Sequence, residues 1–173
     1  TLPVMTLCGS GNQGITATLP VIAAAQKLGK SEEDLLRALA LSCLITVHVK
    51  RHIGRLSPLC GCGMGAAVGS CCGLTYLMGG GLHEIEGAIR NVIADVSGVI
   101  CDGAKAGCSL KIATAVSSAC RCSMLALHGS AAGNLDGIVC EDVERTIDNL
   151  GGLGAEGMAG TDQVILDMMV CKS

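Results

Sequence analysis

The chain has 173 residues, of which 50% are hydrophobic but only 1% aromatic, and its formal net charge is −3. This length suits one domain with a sizeable core, which must be built from aliphatic, Met and Cys side chains because Trp and Phe are absent. With neither a basic surface nor aromatic rings for base stacking, the composition argues against a nucleic-acid-binding protein.

Glycine-rich turns divide the chain into about seven predicted helices. The first is expected from about Thr16 to Leu28, after a flexible loop at Gly9–Gly14. Backbone amides in this loop could hold a carboxylate or phosphate at the helix N-terminus, although a plain interhelical turn explains the same residues. The candidate substrate-binding residues are Ser10, Gly11, Asn12 and Gln13. Ser31 then caps a second helix that runs to about His52.

The third predicted helix, from about Cys60 to Met78, lies in a segment without charge. Residues 56–82 contain no charged side chain, which exceeds the roughly 20 residues that a membrane span needs. Four glycines recur at every fourth position, a pattern typical of tightly packed helices: Gly61, Gly65, Gly69 and Gly73. No aromatic belt flanks the segment, so a buried Gly/Ala/Cys-rich central helix is favoured over a membrane span.

Four further helices complete the prediction, at about 83–95, 108–127, 136–149 and 161–170, the last with Thr161 as its N-cap. The stretch Gly151–Gly154 is expected to be flexible. No alternating strand pattern is present, so the sequence predicts a single compact all-α domain over residues 1–173. The sequence starts with neither an initiator Met nor a helix cap, and we expect it to begin within a longer protein.

The 12 cysteines indicate a reducing environment. Because no signal peptide is evident, the sequence favours a cytoplasmic protein over a disulfide-bonded scaffold. Five cysteines lie in apolar helical runs and are expected to be buried packing residues: Cys43, Cys71, Cys72, Cys120 and Cys122.

Two loops carry the cysteines that indicate chemistry. Cys60 and Cys62 follow a Ser-Pro turn, and Cys101 and Cys108 flank Lys105 in a loop that contains two glycines. Thiolates on loops between helices suit a soft metal ion or an iron–sulfur cluster. The spacing does not match a zinc finger, because no second short-spaced pair completes a tetrahedral site.

Charged residues near these loops have alternative interpretations. Lys105 could act as a base or a carboxylate anchor, but a solvated loop lysine is the alternative. Asp102 could orient Lys105 or cap the next helix. His48 and His52 have a metal-compatible spacing of four, although the lysine and arginine between them favour a solvated helix end.

Four stretches together resemble the iron–sulfur L-serine dehydratase α-chain superfamily, and more closely its L-cysteine desulfidase branch. They follow one another over most of the chain: Gly11–Ile15, Leu56–Gly63, Tyr76–Gly80 and Val99–Cys108. The resemblance implies an all-helical catalytic region with a 4Fe–4S cluster. Such an enzyme removes ammonia and either sulfide or water from an amino acid and leaves pyruvate.

The resemblance also implies which residues bind the cluster. Cys60 and Cys101 correspond to cluster ligands, and Cys108 is the third candidate. The desulfidase branch takes a further ligand from a Gly-Cys-Thr-Glu-Pro-type motif in its N-terminal half, which this sequence lacks. We therefore expect the chain to be the C-terminal half of a larger enzyme, completed by an N-terminal half or a partner subunit. Cys171 corresponds in position to a tail cysteine that occupies the open iron in related serine dehydratases.

The sequence thus predicts a β-eliminating lyase that converts L-cysteine to pyruvate, ammonia and hydrogen sulfide, with Lys105 as its catalytic residue. L-serine is the alternative substrate within this class. Two other classes of function remain open. One is a non-catalytic module with a closed four-thiolate site, formed by Cys60, Cys62, Cys101 and Cys108. The other is a helical assembly domain whose cysteines are packing residues only. The expected partner is a small amino acid, with no nucleic acid and no membrane, and homo-oligomerisation is left open.

Overall fold

The computed structural model describes residues 3–54 and 57–171. Over these residues the chain forms seven α-helices and one π-helical turn without a strand, which confirms the all-α prediction. The helices are α1 (Gly11–Lys27), α2 (Glu32–Ile53), α3 (Gly65–Leu77), α4 (Leu82–Val96), α5 (Cys108–Leu127), α6 (Val143–Gly152) and α7 (Thr161–Val170), with the π-helical turn at Leu153–Gly157. Leu56, which opens one of the stretches singled out above, lies outside the described residues.

Side-chain caps set the ends of the first two helices. The Ser31 hydroxyl accepts a hydrogen bond from the Asp34 N–H at 3.1 Å, so α2 begins where the sequence predicted. The Ser10 hydroxyl accepts from the Gln13 N–H at 3.4 Å, so α1 begins at Gly11, before the predicted Thr16. This earlier start places the candidate substrate-binding loop on the first turn of a helix.

The second half of the chain departs from the prediction at α6. Asp142 caps α6 by accepting from the Glu144 N–H at 2.9 Å, so the helix starts at Val143 rather than near residue 136. The glycines at its end are helical rather than flexible. A Cβ on Gly151 would lie 2.8 Å from the His52 carbonyl oxygen, and one on Gly154 would lie 3.0 Å from Leu59 Cδ1. These glycines therefore allow close packing.

α3 is the central helix, as its glycine pattern indicated. Every residue of α3 except Tyr76 is buried, and the helix packs against α1, α2, α4 and α5. A Cβ on Gly69 would lie 2.0 Å from Thr46 Oγ1 and 2.3 Å from the Ser42 carbonyl oxygen of α2. The glycines thus let α3 lie directly against the backbone of α2.

The cysteines predicted to pack in the core divide into two groups. Cys71, Cys72 and Cys122 are buried, whereas Cys43 is half-buried and Cys120 is exposed. Among the described helices only α5 is long and apolar enough to cross a membrane, on length and composition alone. Core helices pass the same test, and α5 packs along α3 and α4.

Candidate metal centre

Backbone hydrogen bonds join the two cysteine-bearing loops. The Cys60 N–H donates to the Val99 carbonyl at 2.9 Å, and the Cys101 N–H donates to the Pro58 carbonyl at 2.6 Å. Cys108 is the first residue of α5, so the helix start sets its position. The result is a buried cluster of Cys60, Cys62 and Cys108, with Cys101 packed against it. The structure therefore brings the three predicted ligand cysteines together.

The cysteine cluster faces a cavity of about 320 Å³, at the small end of the range of roughly 300–1,000 Å³ that is typical of ligand pockets. Five cysteines line it: Cys8, Cys60, Cys62, Cys101 and Cys108. The polar side chains of Ser10, Asn12, Gln13 and Lys50 line it as well. A closely spaced set of thiols suits a soft metal ion or an iron–sulfur cluster better than a hard cation. We call this space the thiolate cavity.

A hydrogen bond between Cys60 and Cys62 favours the thiolate form of Cys60 and the thiol form of Cys62. The Cys62 thiol donates to Cys60, and with backbone N–H groups, including that of Gly63 at 3.4 Å, it lowers the Cys60 pKa to about 6. The pKa of Cys62 is raised, first because its proton is shared with Cys60 and then by burial. Cys60 is therefore predisposed to the thiolate form, which is the form that binds metal.

Lys111 of α5 secures the Cys101 loop. Its ammonium donates to the Ile100 carbonyl at 2.8 Å and forms a short ion pair with Asp102, which raises the Lys111 pKa. Asp102 therefore pairs with Lys111 rather than with Lys105. The sequence analysis did not single out Lys111, since it lies one turn into a helix whose start carried the cysteine motif.

Among the described residues that line the thiolate cavity, Lys50 is the only lysine or arginine. It is only 6% exposed, and its ammonium donates to the Gly54 carbonyl at 2.7 Å. Burial lowers its pKa, while the nearby cysteines, led by Cys8, act in the opposite direction. Lys50 is not predicted from the sequence, because it precedes Arg51 and His52 at a helix end whose residues favour a solvated position. A Cβ on Gly65 would lie 3.1 Å from Lys50 Cγ, so the α3 glycine leaves room for its stem.

Gln13, in the wall of the cavity, has a buried polar atom without a partner among the described residues. It is 6% exposed, and its Oε1 is buried with no hydrogen-bond partner within the described part of the chain. A buried acceptor left unpaired costs about 1–3 kcal/mol, so a ligand that donates a hydrogen bond there is favoured. A Cβ on Gly61 would lie 2.8 Å from Gln13 Nε2, so any larger residue at position 61 would displace the Gln13 side chain.

The other candidate substrate-binding residues differ in position. Ser10 and Asn12 line the cavity, and the Ser10 side chain also hydrogen-bonds to Cys62. Gly11 faces Val4 instead, since a Cβ there would lie 3.4 Å from Val4 Cγ1. Ser10, Asn12 and Gln13 therefore form one wall of the cavity, and Gly11 belongs to the first turn that supports it.

Lys105 is not among the residues that line the thiolate cavity. It is exposed and lines a different cavity of about 550 Å³, between the loop and Met168 and Met169 of α7. Its catalytic role therefore stays a prediction. Cys171 ends α7, is exposed and lies outside the thiolate cavity.

Cys8 is a cavity residue that the sequence analysis did not mention. Its φ is 51°, and Gly9 after it has a φ of 81°, which together make a tight turn between Leu7 and Ser10. A non-glycine residue in this left-handed region costs of order 1–3 kcal/mol and often marks a functional position. In the sequence, this turn could have been predicted from the Cys8-Gly9 pair at the start of the glycine-rich loop.

Comparison with known proteins gives consistent matches over nearly the whole chain. The family model described as serine dehydratase alpha chain matches residues 1–167. Proteins named UPF0597 are 52% identical in Clostridium perfringens (strain ATCC 13124), 50% in Oleidesulfovibrio alaskensis and 49% in Bacteroides fragilis, each over 171 residues and 99% of this chain. The chain spans about 40% of the length of these relatives. No solved structure matches.

Proposed function

This chain belongs to the serine dehydratase alpha-chain family, and from that premise we propose that it takes part in the β-elimination of L-cysteine to pyruvate, ammonia and hydrogen sulfide. Cys60, Cys101 and Cys108 are proposed to bind a 4Fe–4S cluster. The observation that carries the proposal is the thiolate cavity, in which these cysteines share one space with a buried lysine. Because its relatives are longer, we further propose that the chain acts together with the additional length that they contain.

The proposed cluster is an open one rather than a closed one. Cys60 is poised as a thiolate, whereas Cys62 holds its proton. In the proposal Cys62 keeps its hydrogen bond to the Cys60 sulfur, and Cys60, Cys101 and Cys108 are the three ligands, which leaves one iron free. When bound, the cluster would supply a Lewis acid for the leaving sulfur.

The polar residues of the cavity suit the head of an amino acid. In the proposal the Lys50 ammonium pairs with the substrate α-carboxylate, and Gln13 Oε1 accepts a hydrogen bond from the α-ammonium. The side chain of the bound amino acid is then directed towards the cysteines. Two fixed contacts on the Cα substituents would orient the Cα–H bond and the Cβ–S bond for elimination.

The reaction needs one base and one water molecule. A base removes the Cα proton, the electron pair forms the Cα–Cβ double bond, and the Cβ–S bond breaks to release hydrosulfide. Tautomerisation of the resulting enamine and hydrolysis by water then yield pyruvate and ammonium. Lys105 is the base proposed from the sequence, and Lys50 is the only lysine that lines the thiolate cavity within the described residues.

L-serine is the second candidate substrate, since the same contacts fit its carboxylate and ammonium. A thiol has a pKa near 8.5 and water one of 15.7, so hydrosulfide leaves more readily than hydroxide. This chemical difference favours cysteine as the substrate in the proposal.

The test is turnover by anaerobically purified full-length protein supplied with L-cysteine or L-serine, with pyruvate and sulfide measured together. We expect equal amounts of both products from cysteine. Lys50→Met should raise KM at least tenfold, because it removes the carboxylate partner while keeping the side-chain volume. Lys105→Met should lower kcat if Lys105 is the base, and Lys27→Met, an exposed lysine at the end of α1, is the matched control. Failure to form pyruvate from either substrate would refute the proposed function.

A further inference from the structure

Metal-ligand side chains also lie on the outer face of α2, where α6 packs against it. His48 and His52 are one turn apart on α2, and Glu144 and Asp148 are one turn apart on α6. His48 Nε2 lies 2.8 Å from Glu144 Oε2, and His52 Nε2 lies 3.3 Å from Asp148 Oδ1. One ligand atom from each of His48, His52 and Glu144 lies within 4.8 Å of the other two.

The hydrogen bonds of His52 determine what its second nitrogen can bind. Its Nδ1 lies 3.0 Å from the His48 carbonyl oxygen, which only accepts hydrogen bonds, so Nδ1 carries a hydrogen. In the neutral ring Nε2 then presents a lone pair to the Asp148 carboxylate. Two facing lone pairs repel each other, and a metal ion bound between them would remove this repulsion. Metal-binding histidines commonly donate their other N–H to a backbone carbonyl in this way.

The two imidazole–carboxylate contacts bring nitrogen and oxygen atoms close enough to share a small tetrahedral ion. Bonds of about 2.0–2.2 Å to nitrogen and oxygen separate the ligand atoms of a tetrahedral zinc site by about 3.3 Å. The two observed imidazole–carboxylate distances, 2.8 and 3.3 Å, are close to this separation. Two imidazoles also favour zinc and its transition-metal neighbours over calcium or magnesium, which prefer oxygen ligands.

The two helices are held close, but the side chains stay accessible. Gly151 of α6 packs against the His52 carbonyl, where a Cβ would lie within 2.8 Å of the oxygen. The side chains of His48 and His52 are 38% and 28% exposed, and those of the two acids more so. An ion can therefore enter from solvent without opening the core, and little backbone movement is needed to close the site.

We propose that His48, His52 and Glu144, with Asp148 as the fourth ligand, form a structural site for a divalent transition metal such as zinc, independent of the proposed reaction. The metal would fasten α6 to α2. The π-helical turn after α6 packs on Leu59, beside Cys60, through Gly154. A metal at the α2–α6 contact would thus also steady the loop that carries Cys60.

Cobalt(II) titration of the full-length protein tests the site, because cobalt reports its ligands by absorption. Cobalt bound to nitrogen and oxygen gives d–d bands without the intense thiolate-to-cobalt charge-transfer band that the cysteine site would give. We expect one equivalent per chain whose spectrum shows only d–d bands, separate from any cobalt that the cysteine site takes up, and zinc should displace it. His52→Ala and Glu144→Gln should lose this equivalent, whereas the exposed His83→Ala and His128→Ala should keep it.

A second readout separates a metal site from simple ion pairs. Zinc should raise the melting temperature of the wild type and of His83→Ala but not of Glu144→Gln, whose folding is checked by circular dichroism. The proposal is overturned if cobalt binds only with thiolate charge-transfer bands. It is equally overturned if His52→Ala and Glu144→Gln bind the same amount of cobalt as the wild type.

Discussion

Replacing Gly69 by Ala tests the packing that places α2, with Lys50, beside the thiolate cavity. The added Cβ would lie 2.0 Å from Thr46 Oγ1 and 2.3 Å from the Ser42 carbonyl oxygen. Thr46 is fully buried and donates to that same carbonyl at 2.7 Å, so the methyl group displaces both groups of one hydrogen bond. Because one of them is backbone, rotation of a side chain cannot relieve the contact.

The magnitude follows from two opposing effects. Overpacking of this kind costs about 1–3 kcal/mol or more, and the backbone contact puts Gly69→Ala at the upper end. Alanine recovers about 1 kcal/mol of helix propensity relative to glycine. We therefore expect a net loss of about 2 kcal/mol and a fall in melting temperature of about 4–8 °C for a chain of this size.

Gly152→Ala is the matched control for that measurement. Gly152 ends α6 with a φ of −60° and a ψ of −42°, and a Cβ there would meet nothing within 4 Å. This substitution should stabilise the protein by about 0.4–1 kcal/mol. Thermal unfolding followed by circular dichroism compares the two variants. A Gly69→Ala variant as stable as Gly152→Ala would refute the close α2–α3 contact.

Three further predictions concern the thiolate cavity. In the metal-free protein, the rate of Cys60 alkylation by iodoacetamide should reach half its maximum near pH 6 rather than near pH 9.0. Cys62→Ala should move that midpoint to higher pH, because the Cys60 thiolate loses its main hydrogen-bond donor. A wild-type midpoint near pH 9 would contradict the lowered Cys60 pKa. Gly61→Ala should raise KM with little change in melting temperature, because only the flexible end of Gln13 is displaced; an unchanged KM would argue against Gln13 as a substrate contact. Cys8→Gly should stabilise the fold by about 1 kcal/mol by removing a left-handed φ at a non-glycine residue, and a loss of stability in chemical denaturation would show that the Cys8 side chain is needed for packing.

The features that the sequence predicted well are those with a local physical cause. α2 and α5 have nearly the predicted ends, since Ser31 caps one and glycines flank the other. The buried α3 follows from its glycine spacing and lack of charge. The membership in the dehydratase family was likewise readable from the cysteine loops, because their residues are contiguous in the sequence.

The features that the sequence missed depend on tertiary contacts. Lys50 occupies a helix end that is usually solvated, and only the packing of α3 at Gly65 shows that it is buried. Gly151 and Gly154 were interpreted as flexible because their close neighbours, His52 and Leu59, are distant in sequence. Lys105 lies between two candidate ligands in the chain, but it lines a neighbouring cavity rather than the one that they share.

The most direct test of the account is the iron and acid-labile sulfide content of the anaerobically purified full-length protein, measured for the wild type and for Cys60→Ser. The account predicts about four iron and four sulfide per chain in the wild type, with an absorption spectrum that L-cysteine perturbs, and loss of most of the iron in Cys60→Ser. A folded wild-type protein that holds neither iron nor sulfide would contradict the central claim that the thiolate cavity binds a 4Fe–4S cluster.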